Sequence, residues 1–137
     1  MPFKWPEKKI EYLTSTLYRF FKSKPPFTIN LQDFGAFEPR VIFVKVNPDP
    51  YLSVLQTGLG RLMAETLSIH NANYRNRAFH PHITIAFRDL KKSCFYQAWE
   101  YYQGQSYCAE FQANNITLLK HNGKIWEQES VFALQIS

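Results

Sequence analysis

His80-Pro81-His82-Ile83-Thr84-Ile85-Ala86-Phe87-Arg88-Asp89 is the stretch of this chain whose residue types can do chemistry. As an extended strand it turns His82, Thr84, Ala86 and Arg88 to one face and Ile83, Ile85 and Phe87 to the other, where the apolar set can anchor it. An imidazole gives and takes protons near neutral pH, a threonine hydroxyl donates to a phosphoryl oxygen, and a guanidinium neutralises anionic charge. The polar strip therefore suits chemistry on a phosphate, with small Ala86 leaving room between its members. His-x-Thr is nonetheless a short pattern, and a half-buried strand histidine also serves as an ordinary hydrogen-bonded structural residue. The surrounding sequence has to decide between the two.

The other histidines offer little. His80, two residues from His82, could present a second imidazole to a metal, but a metal site normally needs three or four ligands and no clear third exists. No metal or other cofactor is expected. His70 falls at a helix end and His121 in a turn, and neither has a threonine two residues on. No Gly-x-Ser-x-Gly elbow or Gly-rich phosphate loop supports a serine hydrolase or a nucleotide triphosphatase.

Several elements must position this strand. Residues 7–22 set Ile10, Leu13, Leu17, Phe20 and Phe21 on one stripe of an amphipathic helix, with Pro6 at its start and Pro25-Pro26 beyond its end. FTINLQDF, 27–34, alternates as a half-buried strand, and RVIFVKVN, 40–47, is apolar on both faces, as a central strand is. A second helix opens at Asp49-Pro50, turns Leu52, Leu55, Leu59, Leu62 and Met63 inward and ends near His70. After a polar loop with Tyr74, Arg75 and Arg77 comes the His82 strand. Asp89 then caps a third helix that stops near Gly104. Two long strands, about 107–120 and 125–136, are joined through His121-Asn122-Gly123-Lys124, a hairpin signal.

Composition narrows the class. The 137 residues suit a single domain, 1–137, and 45% apolar with 20% charged residues suits a soluble globular protein. A net charge of +5 favours phosphate-bearing partners without forming a basic arm. The two cysteines, Cys94 and Cys108, form no metal pair or disulfide framework. No apolar run reaches the ~20 residues of a membrane span, and MPFKWPEKK lacks a signal peptide's apolar centre. The expected location is cytoplasmic, without membrane contact.

Residues 7–47 read as helix, strand, strand, and 90–136 repeat that order, so the chain looks duplicated. Lys8-Lys9 and Lys91-Lys92 match at an offset of 83, Phe3 and Phe87 at 84, which places the counterpart of His82 just before Met1. Two halves can also share an element order without a shared origin.

The stretch around His82 closely resembles the second signature of the two-histidine phosphoesterases, which include 2′-5′ RNA ligases and RNA 2′,3′-cyclic phosphodiesterases. Phe34-Gly35-Ala36-Phe37, Arg40-Val41-Ile42-Phe43, a helix and Phe79-His80-Pro81-His82-Ile83-Thr84-Ile85 follow that family's order. The resemblance implies an α+β fold with two pseudo-duplicated lobes of antiparallel strands, flanked by helices around a central cleft. It also implies one His-x-Thr from each lobe, with one histidine as base, the other as acid and the hydroxyls on the phosphate, without a metal. Only His82 and Thr84 carry over. The first signature would lie upstream of Met1, so the chain is expected to be N-terminally short, with an incomplete first lobe.

The expected function is that of a phosphoesterase acting on 2′-5′ or 2′,3′-cyclic phosphodiester linkages of RNA ends or nucleotides, weak or inactive with one signature. The alternative is a non-catalytic RNA- or nucleotide-binding module. His82 and Thr84 are the catalytic candidates. Arg88, Lys45, Arg77 and the rings of Phe43 and Tyr74 are the substrate-binding candidates, the rings by base stacking. An uncovered strand edge would invite pairing with a second copy.

Overall fold

The computed structural model of the chain describes residues 2–70 and 78–136. A short 3-10 turn, Glu7–Lys9, leads into α1 (Ile10–Phe21). There follow β1 (Phe27–Phe37), β2 (Val41–Val46), α2 (Pro50–Glu65), β3 (His82–Ala86), α3 (Lys92–Gln103), β4 (Cys108–Ala113), β5 (Asn115–His121) and β6 (Trp126–Ala133). The chain is α+β, as its sequence implies, and its elements fall into two compact units.

The first unit holds α1, α2, β5 and β6. The predicted stripe is realised: Leu13, Leu17 and Phe21, one helical turn apart, are buried together with Leu55 of α2, Leu67, Phe132 and Leu134. Each such side chain contributes about 1.5–3 kcal/mol when fully buried. The Phe21 ring meets Phe132 of β6 at 5.6 Å between centroids. β5 and β6 pair antiparallel from Asn115↔Ala133 to His121↔Trp126. Their turn fits the hairpin signal, because Gly123 takes φ +100° and Asn122 Oδ1 accepts from the amides of Lys124 (2.8 Å) and Ile125 (2.9 Å).

The second unit contains a sheet of order β3-β2-β1-β4 together with α3. β2 is central, which explains why its sequence is apolar on both faces: Ile42, Phe43 and Val44 are all buried. α3 packs against β2 and buries Phe95 completely. On the same side Phe34 of β1, which pairs with Val44, meets Tyr102 of α3 at 4.9 Å and Tyr107 at 5.7 Å. Within the first unit α1 packs on β6, and within the second α3 packs on β2.

Three expectations need correction. The segment 107–120 is two strands, not one: it breaks at Asn114, whose carbonyl accepts from the Leu134 amide at 2.9 Å, so β4 joins the four-stranded sheet and β5 pairs with β6. The N-cap of α3 is Lys91 rather than Asp89, and no side chain caps it; Asp89 lies in the turn that the Leu90 amide closes onto the Phe87 carbonyl. Finally, Ile83, Ile85 and Phe87 do not bury as an anchor but stay 38%, 46% and 48% exposed, because β3 is the outermost strand and the helix covers its inner neighbour.

Candidate functional site

His82 opens β3, and the β2–β3 register sets it directly opposite Lys45, with Thr84 opposite Phe43. Side chains opposite each other in an antiparallel pair share a face, with Cβ atoms about 4.5–5.5 Å apart. His82, Thr84 and Lys45 therefore gather on the face turned away from Phe34 and Val44, and all three are exposed. Lys45, placed on sequence grounds only by its charge in an apolar strand, stands next to the imidazole.

The orientation of His82 is held from two sides. Its Nδ1 lies 2.7 Å from the His80 carbonyl oxygen. A carbonyl can only accept, so the ring donates its Nδ1–H there, and Nε2 is left as the nitrogen that can take a proton. Behind the ring stand Phe37, edge-on at 5.0 Å, and Phe43, tilted at 5.1 Å. The same two phenyl rings stand 4.6 Å from each other and flank His80 at 5.3 and 5.4 Å. The imidazole thus has an aromatic wall at its back, its Nδ1–H engaged and, among the described residues, no hydrogen-bond partner for Nε2.

Phe43 takes a different part from the one expected. It is only 3% exposed, with Phe37, His80 and His82 around its ring, so it has no open face for a base and acts as backing for the histidine. Gly35 makes that packing feasible. A Cβ there would sit 2.5 Å from Phe43 Cε2 and 3.3 Å from Lys45 Cγ. Gly35 pairs with Phe43 across the β1–β2 ladder, and a glycine inside a strand pattern is the sequence sign of such an approach.

Arg88 does not join His82 and Thr84. β3 ends at Ala86 and a turn follows, so the two-residue alternation that aims Arg88 stops short of it. Its guanidinium lies 5.5 Å from the Phe87 ring centre. Tyr74 and Arg77 lie outside the described residues. For His80 as a metal ligand there is no support: among the described residues no group of three His, Cys, Asp or Glu could hold an ion. Its backbone carbonyl is the functional part that residue-type reasoning misses. Cys94 and Cys108 are free and exposed, and no described helix is long and apolar enough to cross a membrane.

Comparison with known proteins bears on this arrangement. A family model described as the 2′-5′ RNA ligase superfamily matches residues 1–125. Among solved structures, the crystal structure of TT0787 of Thermus thermophilus is similar with a TM-score of 0.58 at 19% identity, over 97% of this chain and 74% of that one. At that identity the likeness speaks for a shared fold. No curated protein matches. The match over residues 1–125 bears out the resemblance drawn from the His82 signature: the chain belongs to the 2′-5′ RNA ligase superfamily, the two-histidine phosphoesterases.

Proposed function

We propose that the face around His82 acts on phosphodiesters of RNA ends or nucleotides, with 2′-5′ and 2′,3′-cyclic linkages as the substrate class. The observation that carries this reading is the hydrogen bond from His82 Nδ1 to the His80 carbonyl, which leaves Nε2 exposed beside the Thr84 hydroxyl and the Lys45 ammonium. In that arrangement His82 Nε2 takes a proton from the attacking oxygen or returns one to the leaving oxygen. Thr84 donates to a non-bridging phosphoryl oxygen, and Lys45 offsets the charge on the phosphate.

Displacement at phosphorus needs proton transfer at both the attacking and the leaving oxygen, and one imidazole cannot occupy both sides. The 137 residues contain a single His-x-Thr. Turnover by these residues alone is therefore slow, and tight but unproductive binding of RNA or a nucleotide is the second reading. Hydrolysis of a 2′,3′-cyclic dinucleotide by the wild-type chain, His82→Ala and Thr84→Val tests both. The catalytic reading expects a loss of about 10²–10⁴ in rate for His82→Ala and a smaller loss for Thr84→Val, which removes the hydroxyl at nearly constant volume. Binding that weakens steeply with salt yet survives His82→Ala, with no turnover in the wild type, selects the second reading.

A further inference from the structure

At the far end of β3 from His82, Pro39, Arg40, Phe87, Arg88, Leu90 and Lys92 line a cavity. Four strand steps separate His82 from Ala86, about 13 Å at 3.3 Å per residue, so this cavity is a place of its own within the same unit. Its three charged residues are all cations. We propose that it is an oxyanion site that takes a phosphate group.

Two further features point the same way. The β2–β3 ladder ends on the pair Ile42↔Ala86, and beyond the two strand ends Arg40 and Arg88 both line this cavity. Like charges that share one cavity repel, and a carboxylate between them is the ordinary remedy. Among the described residues none lines the cavity: Glu38 and Asp89 adjoin the arginines in sequence but are not in its wall, and the ion pair found among the described residues is elsewhere, between Lys120 and Glu7. An anion bridging the two guanidiniums removes the repulsion and uses their forked donors as a phosphate would. Lys92 is the first residue of α3, whose amino end has no capping side chain and no acid in its first turn. The unsatisfied amides of that turn add to the positive potential in which Lys92 sits.

The phosphate could be free or carried by a nucleotide or an RNA end, and the chemistry of recognition is the same. The test is a calorimetric or NMR titration of the full chain with inorganic phosphate, then with a short oligonucleotide bearing or lacking a 5′-phosphate, in constant chloride. The expected result is saturable phosphate binding that shifts the NMR amide signals of Arg40, Arg88 and Lys92 and weakens about tenfold or more in Arg40→Gln and in Arg88→Gln. If the 5′-phosphate tightens the oligonucleotide through the same arginines, the physiological ligand carries its phosphate; if inorganic phosphate binds as well as the oligonucleotide does, the ligand is the free ion. Lys92→Gln, on an exposed helix position, serves if an arginine variant fails to fold. Absence of saturable phosphate binding in the wild type overturns the proposal, as does binding that all three substitutions leave intact. Because this readout is taken at the amides lining the cavity and the His82 face is tested by hydrolysis, failure of one is distinct from failure of the other.

Discussion

Gly35 lies across the β1–β2 ladder from Phe43, and the space where its side chain would be is filled by the Phe43 ring, 2.5 Å from the nearest position of a Cβ. Since Phe43 in turn backs His82, a backbone position on β1 sets how the imidazole on β3 is held.

Gly35→Ala therefore acts at a distance. The ring it displaces is buried, so overpacking is expected to lower stability by about 1–3 kcal/mol. The His82 ring protons, which lie within the ring-current fields of Phe37 and Phe43, should shift in the NMR spectrum, while those of His121, near Trp126 in the other unit, should not. Unchanged His82 resonances in a folded Gly35→Ala protein would mean that the aromatic wall does not depend on this glycine.

Much of this arrangement is legible in the sequence, because it follows from periodicity. The α1 stripe, the two-sided apolar β2, the Asn122-Gly123 turn and the pairing of His82 with Thr84 on one strand face depend only on local spacing. What is not legible depends on where regular structure stops. Alternation continued from His82 reaches Arg88, but the strand ends at Ala86. The strand-forming composition of 107–120 hides the break at Asn114, where the two parts enter different sheets and the partly buried positions shift from Ala109 and Ala113 to Ile116 and Leu118. Phe43 has the composition of a stacking residue, and only its neighbours on β1 and β3 turn it into backing.

Asp33 marks another such stop. It sits at the irregularity between Leu31 and Phe34 with φ 59°, a left-handed value that aspartate tolerates better than most residues. Its amide donates to the Tyr107 carbonyl at 2.8 Å, and its carboxylate accepts from the Tyr107 amide at 3.0 Å. Asp33→Asn keeps both the acceptor and the tolerance for this φ and should be close to neutral. Asp33→Gly loses only the acceptor, whereas Asp33→Ala loses the acceptor and adds strain, for a total of about 2–3 kcal/mol. Urea denaturation of the three variants should give the order Asn, Gly, Ala from most to least stable; Ala matching Asn would exclude both causes.

Tyr51 links stability to high pH. Burial raises the pKa of its phenol above the usual tyrosine value, because the phenolate is poorly solvated there. The folded state then holds this proton more tightly than the unfolded state. The group contributes no pH dependence well below about pH 10, and stability falls as pH rises through and above that value, where the unfolded chain ionises first. Among the described residues the Tyr51 hydroxyl donates to the Pro25 carbonyl, at a long 3.4 Å, so Tyr51→Phe should melt near the wild-type temperature at pH 7. Above about pH 10 the variant should lose less of its melting temperature than the wild type. Parallel curves for the two proteins up to about pH 11 would show that this phenol is not the source.

Lys45 gives the most direct test of the face around His82, because it contributes charge without taking part in proton transfer. It stands opposite His82 and carries an exposed ammonium on a flexible stem, so its attraction to a phosphate is partly screened by solvent. Lys45→Met keeps the stem that lies over Gly35 and removes the charge. The affinity for a 2′,3′-cyclic nucleotide should fall several-fold and the salt dependence of binding should flatten by about one phosphate contact. Any turnover at saturating substrate should change little, in contrast to His82→Ala. A Lys45→Met protein whose binding and salt slope match the wild type would remove the phosphate from this face, since a phosphate held by His82 and Thr84 lies within reach of that ammonium.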